Sequence, residues 1–347
     1  MTSPVVFVTG GTGLVGSHLL YDLLQKDYRV KALKRPSSNT SRVLQTFGFY
    51  SDDAESLFGK IEWVEADLFC FESISNALNE CNAVYHAAAI VSFGDSGKAQ
   101  MLQTNVEGTA NIVNVCLEKQ IPLCFASSIG ALGHSEPGVA ATEKTLWQTA
   151  NGRSTYAYSK YKAEMEVWRG IAEGLQATIV NPSIILGPGD WTKGSLKFFP
   201  QVYKGMRFYT QGVTAFVDVR DVSRCMISLM EQKCFGERYI LSSGELSYRE
   251  LFNLIADGLN VKRPSVEVKP WMAGIALRLA RLAGILTGKE PALTKETIRS
   301  AFQKHSYSNE KVKKALDCEF IPVKKSIKDC CRIFLQSCFL PAIQGEK

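Results

Sequence analysis

Short apolar runs alternate with helical patterns through the first half of the chain. Residues 5–9 (Val-Val-Phe-Val-Thr) are continuously apolar and β-branched, which predicts a strand buried on both faces. The leucines that follow, at 19, 20, 23 and 24, recur at the spacing of one helix face. This alternation predicts an α/β fold with a doubly wound parallel sheet and crossover helices. The predicted strands are residues 5–9, 28–34, 61–65, 83–88, 121–127 and 177–182.

The pattern changes after Pro182. Gly, Pro and Ser punctuate the chain from Leu186-Gly-Pro-Gly-Asp190 onward, and the regular alternation stops. We therefore assign residues 1–182 to the sheet domain and residues 183–347 to a smaller, mixed, substrate-binding region, within which 213–242 returns to the sheet. A chain of 347 residues can bury one large core or two unequal ones.

A glycine-rich segment follows the first predicted strand at once. The run Gly10-Gly-Thr-Gly-Leu-Val-Gly16 matches both G-x-x-G-x-x-G and G-x-G-x-x-G. Glycines there allow a tight turn, let the backbone approach a pyrophosphate, and open a helix whose N-terminal amides bind the anion. This predicts a Rossmann-type dinucleotide site, the alternative being a plain turn. The predicted contacts are Gly10, Thr12, Gly13, Leu14, Val15 and Gly16.

The end of the second strand bears on the choice of cofactor. NAD-preferring sites place an acidic residue about 20 residues beyond the glycines, to bind the adenosine ribose. Here the strand ends in Lys34-Arg35, which could pair with a 2′-phosphate, the guanidinium bidentately. We predict NADP(H) as the preferred cofactor, with NAD(H) left open. The alternative interpretation is that the two cations only cap an exposed strand end.

Ser128, Tyr156 and Lys160 have the layout of a Ser/Tyr/Lys oxidoreductase site. Ser128 ends an apolar run, and Tyr156 and Lys160 are four apart, so on a helix they share one face. An ammonium beside the phenol would favour the phenolate and lower the tyrosine pKa by at most about three units. We therefore predict that Tyr156 is a proton donor.

A second register, Tyr158 with Lys162, also fits Y-x-x-x-K. A shift of two residues turns a helix by about 200°, so both pairs cannot face the cofactor. Tyr158, Tyr161, Met165 and Trp168 form an apolar stripe, which suits packing against the sheet or against a second subunit of a homodimer. Successive strand residues face opposite ways, so we expect only one of Ser127 and Ser128 to point at the cofactor. The choice of Ser128 rests on the family resemblance described next.

Six segments in this order resemble the extended short-chain dehydrogenase/reductase superfamily. They are Thr9-Gly-Gly-Thr-Gly-Leu-Val-Gly16, Ala66-Asp67-Leu68, Tyr85-His86-Ala87-Ala88-Ala89, Asn105-Val-Glu-Gly-Thr109, Phe125-Ala-Ser-Ser128 and Tyr156-x-x-Ser-Lys160-x-x-Ala-Glu164. The resemblance implies that Ser128, Tyr156 and Lys160 are catalytic and that Lys160 binds the nicotinamide ribose. It adds further cofactor contacts, at Asp67, Leu68, Ala87, Ala88, Tyr156, Lys160 and Pro182.

Within that superfamily the chain is most similar to the dihydroflavonol-reductase-like and 3β-hydroxysteroid-dehydrogenase-like branches. Plant dihydroflavonol reductases place a flavonoid-binding Asn five residues after the serine, where this chain has Gly133. Nucleotide-sugar epimerases carry an arginine shortly before the stretch that contains Phe216, and residues 208–215 of this chain contain none. We interpret the later Arg220 as a salt-bridge partner of Asp218 or Asp221.

These observations favour an NADP(H)-dependent reductase of a ketone or aldehyde, acting on a small, largely apolar substrate or oxidising the matching alcohol. A sugar-nucleotide epimerase or dehydratase and a non-catalytic NADP-sensing regulator remain alternatives.

Composition limits the other classes. Ten cysteines without C-x-x-C and only four histidines argue against a disulfide framework and against a zinc site, and reduced thiols suit the cytoplasm, where we expect the protein. A strand that begins by Val5 leaves no room for a signal peptide. The most apolar stretch, Trp271 to Thr287, is interrupted by Arg278 and Arg281, so we predict no membrane span. It covers a substrate cleft or core, or lies on a membrane surface. The net charge is +6, but the basic residues are not interleaved with aromatic ones as in a nucleic-acid site, so we expect no nucleic-acid partner.

Overall fold

The computed structural model describes residues 3–91, 97–133, 135–136, 138–148, 154–287 and 294–339. The strands in that part of the chain are β1 (Val5–Thr9), β2 (Arg29–Lys34), β3 (Ile61–Glu65), β4 (Ala83–His86), β5 (Leu123–Ala126), β6 (Ala177–Pro182), β7 (Ile184–Leu186), β8 (Phe208–Tyr209), β9 (Val213–Asp218), β10 (Glu237–Leu241), β11 (Gly244–Ser247) and β12 (Val266–Glu267).

The helices lie mainly between these strands. They are α1 (Leu14–Gln25), α2 (Ser41–Gly48), α3 (Ala54–Gly59), α4 (Phe71–Ala77), α5 (Lys98–Leu102), α6 (Gly108–Lys119), α7 (Thr155–Ala172), α8 (Phe198–Tyr203), α9 (Val219–Glu231), α10 (Tyr248–Gly258), α11 (Pro270–Thr287), α12 (Lys295–Phe302), α13 (Glu310–Leu316) and α14 (Val323–Phe339). A π-helical turn spans Gln103–Glu107, and short 3-10 turns span Ile129–Ala131 and Gly194–Lys197.

Seven parallel strands form the central sheet, in the order β10-β6-β5-β4-β1-β2-β3. All six predicted strands are present, with ends that differ by three residues or fewer from the prediction. The predicted α/β class is therefore confirmed. The strand order reverses between β1 and β4, and in open α/β sheets the crevice outside the carboxyl ends at that point is where ligands bind.

The sheet is covered on both faces. Val6 and Val8 of β1 pack in a core with α1 and α9, whereas Val5 and Phe7 pack in a second core with α6 and α7. This division explains why the first apolar run is continuous rather than alternating, since each face of the strand has its own apolar layer.

A smaller part of the chain lies beside the carboxyl ends of the large sheet. It contains a three-stranded sheet in the order β11-β9-β7 and the two-stranded pair β12-β8. Its core joins α8, α10 and α14. Within the segment 213–242, α9 and β10 belong to the large sheet and its layer, whereas β9 lies in the three-stranded sheet instead.

None of the ten cysteines forms a disulfide, and adjacent Cys330 and Cys331 are buried in the third core, where burial raises the pKa of Cys331 to about 12. Among the described residues, no helix is both long and apolar enough to cross a membrane. In α11 the side chains of Trp271 and Ile275 are exposed, while those of residues 279–287, including the predicted interruption at 281, lie outside the described residues.

Candidate active site

The glycine-rich loop turns sharply between β1 and α1. Gly10 has a φ of +72°, and a Cβ at Gly16 would lie 2.1 Å from the Gly10 carbonyl oxygen, so neither position accepts a side chain. The Gly13 N–H donates to the Gly10 carbonyl (2.9 Å), and α1 begins without a side-chain cap at Gly13. α1 therefore begins at the carboxyl end of β1, with Thr12 in the preceding turn and Leu14 and Val15 in its first turn, where a helix leaves its N-terminal amides without intrahelical partners.

The segment after β4 packs directly on this loop. A Cβ at Gly10 would lie 2.6 Å from the Ala88 backbone nitrogen and 2.7 Å from the Ala87 carbonyl oxygen. Two of the predicted contacts that are far apart in sequence are therefore adjacent to the glycine loop, as a common cofactor site requires.

A buried histidine holds the two strands together behind the loop. His86 Nδ1 pairs with the Thr9 hydroxyl (2.6 Å), His86 Nε2 pairs with the Thr109 hydroxyl (3.0 Å), and Thr9 Oγ1 accepts the Ala88 N–H (3.2 Å). Burial lowers the pKa of His86 to about 3, with Lys160 adding to the effect, so the imidazole is neutral at neutral pH. Its role is to fix the end of β4 beside β1.

The two cations at the end of β2 have different surroundings. Lys34 Nζ lies 3.3 Å from Glu65 Oε1 on β3. For Lys34, this ion pair is in keeping with the alternative interpretation, in which the cations only cap the strand end. Arg35 is exposed, its backbone N–H donates to Ser38 Oγ (2.9 Å), and within the described part of the chain its guanidinium has no ion-pair partner. Arg35 is thus the more available of the two cations.

The predicted adenine-side residues lie at the end of β3. Asp67 is exposed, and its carboxylate accepts the Phe69 N–H (3.0 Å). The Leu68 carbonyl accepts from the Asn111 side chain (2.8 Å), which fixes this turn to α6. Pro182, the last predicted contact, ends β6 and is buried.

Tyr156 and Ser128 face each other across the crevice. Tyr156 lies in the first turn of α7, whose cap Ser154 accepts the Ala157 N–H (3.0 Å), and its hydroxyl hydrogen-bonds the Ser128 side chain. Ser127, the neighbour that the sequence analysis set aside, instead donates its hydroxyl to Glu164. The alternation of side chains at the end of β5 therefore separates the two serines as the sequence analysis expected.

Lys160 is buried on the same face of α7. Its Nζ donates to the Ala126 carbonyl (2.7 Å) and lies 4.5 Å from the centre of the Phe125 ring. Burial lowers the pKa of Lys160 to about 8, opposed by the charge of Glu164.

The expected effect of Lys160 on Tyr156 is corrected by the structure. Burial raises the pKa of Tyr156 above its ordinary value, and the hydrogen bond from Ser128 is the contribution that lowers it. The reason is that the ammonium of Lys160 is held on the Ala126 carbonyl, while removal from water disfavours the phenolate. In this structure Tyr156 is therefore a protonated phenol at neutral pH.

The competing register points elsewhere. Tyr158 is 42% exposed, and Lys162 Nζ lies 5.8 Å from the centre of its ring. Tyr161 of the predicted apolar stripe stacks on Trp147 at 4.4 Å. Of the two tyrosines, only Tyr156 reaches Ser128.

Two residues near the site were not predicted from the sequence. Asn181 of β6 donates to the Ser128 carbonyl (3.0 Å) and to Glu164 (2.8 Å), and Arg238 of β10 pairs with Glu164 (3.0 Å). Asn181 stood in a segment already singled out, next to Pro182. Arg238 carried no signal, because it lies 74 residues beyond its partner.

Arg220 has the structural role that the sequence analysis favoured. It forms a bidentate pair with Asp218 (2.9 and 2.7 Å) and a second contact with Asp329 of α14 (2.9 Å). Burial alone would raise the pKa of Asp218, but Arg220 holds it below its usual value. Asp221 pairs with Arg224 instead (2.7 Å).

In the described ranges, no cluster of His, Cys, Asp and Glu is placed to hold a metal ion.

Residues 6–241 match the NAD dependent epimerase/dehydratase family. Cinnamoyl-CoA reductase 1 of Petunia hybrida is 25% identical over 354 residues, covering 98% of this chain and 95% of that protein. Tetraketide alpha-pyrone reductase 1 of Arabidopsis thaliana is 26% identical over 282 residues, covering 76% and 82%. The crystal structure of gox2253 has a TM-score of 0.80 at 30% identity, covering 96% of this chain and 99% of that one. The similarity thus spans both parts of the fold.

Proposed function

Because the chain belongs to the NAD dependent epimerase/dehydratase family, we propose that it is an NADP(H)-dependent reductase of a ketone or aldehyde carbonyl. The substrate would be small and largely apolar, and the reverse reaction would oxidise the corresponding alcohol. The observation that carries the proposal is the hydrogen bond between Tyr156 and Ser128, just beyond the carboxyl end of β5.

The residues present fit a dinucleotide. A side chain at Gly10 or Gly16 would fill the space between β1, α1 and the segment after β4, and the uncapped amides of α1 suit a pyrophosphate. The nicotinamide cofactor supplies a hydride to the carbonyl carbon when bound. Arg35 would pair with the 2′-phosphate of NADP(H), since Lys34 is already engaged by Glu65.

Three side chains would handle the proton and the substrate oxygen. Tyr156 would donate its phenolic proton to that oxygen, and burial supports this role because it keeps the phenol protonated. Ser128 would donate a hydrogen bond to the same oxygen. Lys160 would bind the nicotinamide ribose and, while charged, stabilise the phenolate that remains after proton transfer.

A reductase is favoured over an epimerase by two observations. Two of the similar proteins, which match over 98% and 76% of the chain, are named as reductases. Arg220, four residues after Phe216, is already paired with Asp218 and Asp329, which argues against a role in clasping a substrate diphosphate. An epimerase or dehydratase remains the second candidate because the family includes those activities by name.

The test is a panel of aldehydes, ketones, steroids and sugar nucleotides, scored for net oxidation of NADPH. The proposal predicts stoichiometric NADPH oxidation with at least one carbonyl compound, abolished in Tyr156→Phe. Conversion of a sugar nucleotide without net change in cofactor would favour the epimerase. Binding of NADPH without turnover of any compound would favour a non-catalytic regulator.

A further inference from the structure

A fully buried carboxylate lies behind the Ser128 and Tyr156 pair. Glu164 of α7 is 0% exposed, and each of its oxygens accepts two donors. One oxygen accepts the Ser127 hydroxyl and the Asn181 amide (2.8 Å), and the other accepts Trp168 Nε1 (3.3 Å) and Arg238 (3.0 Å). Such a carboxylate tolerates burial only while its charge is paired and its lone pairs are satisfied.

The guanidinium of Arg238 reaches in a second direction. Its Nε donates to the Glu143 carbonyl (2.8 Å), and Nη2 contacts the carbonyls of Glu143 and Thr145 (2.5 and 3.2 Å). The Glu143 carboxylate in turn accepts the Ile240 N–H (2.9 Å). We name residues 141–148 the strap. Arg238 is the side chain that joins the strap to Glu164.

The strap contacts both elements that carry the proposed catalytic groups. Trp147 stacks on Tyr161 of α7. On the other side, a Cβ at Gly133 would lie 1.8 Å from the Leu146 carbonyl oxygen. The strap therefore fills the space that a side chain at position 133, five residues after Ser128, would occupy.

We propose that Arg238 is a positioning residue that sets the strap against the Ser128 segment, so that the strap forms one wall of the substrate site. This rests on the proposed reductase function. Asn181 donates to both Glu164 and the Ser128 carbonyl, so one buried carboxylate anchors the serine as well as the strap. A displaced strap weakens substrate binding, because the wall at Gly133 is lost.

Arg238→Lys separates this role from simple bracing. A lysine keeps a positive charge beside Glu164 but cannot fork to the two strap carbonyls at the same time. We expect KM for the carbonyl substrate to rise about tenfold, the change for one lost charge-assisted hydrogen bond, with kcat and NADPH affinity nearly unchanged. The control is Arg263→Lys, whose partner is the exposed Asp257.

A second variant displaces the strap without touching the ion pair. Gly133→Ala should also raise KM, because its Cβ overlaps the Leu146 carbonyl, while Gly59→Ala, where nothing lies within 4 Å of the added Cβ, should not. A brace that only stabilises the fold would lower the melting temperature and the active fraction, and so reduce kcat with KM unchanged.

The possible failures are distinguishable. A wild-type protein without turnover overturns the proposed function and the positioning role with it. A wild-type protein with turnover, combined with an unchanged KM in both Arg238→Lys and Gly133→Ala, overturns the positioning role alone.

Discussion

Replacement of Arg35 by alanine tests the assignment of the cofactor. The structure leaves the Arg35 guanidinium exposed at the end of β2, where the 2′-phosphate of NADP(H) would lie. A hydrogen bond to a charged group contributes about 1.5–3 kcal/mol, which corresponds to roughly 10- to 150-fold in affinity. Arg35→Ala should weaken NADPH binding by that factor and leave NADH binding nearly unchanged, because NADH lacks the phosphate.

Lys34→Ala provides the matched comparison. Lys34 is paired with Glu65 in an exposed contact at 3.3 Å, and such pairs contribute about 0–1 kcal/mol. A cation that is already engaged gains less from a phosphate, so the loss of NADPH affinity should be clearly smaller than in Arg35→Ala. Equal losses in the two variants would contradict the division of roles between these cations.

The assay is a pair of binding titrations, with NADPH and with NADH, on wild type and both variants. Added salt should narrow the preference for NADPH, because the screening length falls from about 8 Å at 0.15 M to about 3 Å at 1 M. Equal wild-type affinities for the two cofactors would refute the reasoning, as would an equal loss for both cofactors in Arg35→Ala.

Three further outcomes are expected. Tyr156→Phe should lower kcat by about 100-fold or more without changing NADPH affinity, whereas Tyr158→Phe should change kcat only slightly. The reverse result in steady-state assays would assign the catalytic role to Tyr158 instead. Lys160→Met should lower both kcat and the affinity for NADPH. In wild type, the affinity for NADPH should fall above about pH 8, because Lys160 loses its charge there. Titrations of the Lys160→Met variant should not show this pH dependence. Native His86 stays neutral down to about pH 3, while an unfolded histidine gains a proton below about pH 6.5, so stability is lost as pH falls through that window. In urea unfolding, the free energy of unfolding should fall between pH 7 and pH 5, and the fall should be about 2 kcal/mol smaller in His86→Gln than in wild type. Equal falls in the two proteins would show that His86 does not make this contribution.

The large sheet and the glycine loop could be predicted because their causes are local. A strand that divides its side chains between two apolar layers must be continuously apolar, as β1 is. Position 16 must be glycine, because the turn brings its Cα against the Gly10 carbonyl and leaves no room for a Cβ. The partner of β9 could not be predicted, since its apolar pattern does not say which sheet it joins. Pairing with β7 and β11 decided that.

The relative placement of the proposed site residues followed from local geometry, whereas the electrostatics of the site did not. Strand alternation separated Ser128 from Ser127, and helix geometry separated Tyr156 from Tyr158. The direction of the Tyr156 pKa shift was wrong, because spacing gives the nearness of a charge but not the extent of burial. The role of Arg238 could not be predicted from the sequence either. Its contacts with the Glu143 carbonyl and with Glu164 depend on tertiary packing at β10, which sequence spacing does not give.

The central claim is that this chain transfers a hydride between a nicotinamide cofactor and a carbonyl carbon with net turnover. The most direct measurement uses NADPH deuterated at the transferable position, with the carbonyl panel, and follows product mass together with cofactor oxidation. We expect one deuterium on the carbinol carbon of the product for each NADPH oxidised, and we expect both product formation and NADPH oxidation to be about 100-fold slower or more in Tyr156→Phe. Unlabelled product, or conversion of substrate with no net NADPH oxidation, would contradict the account.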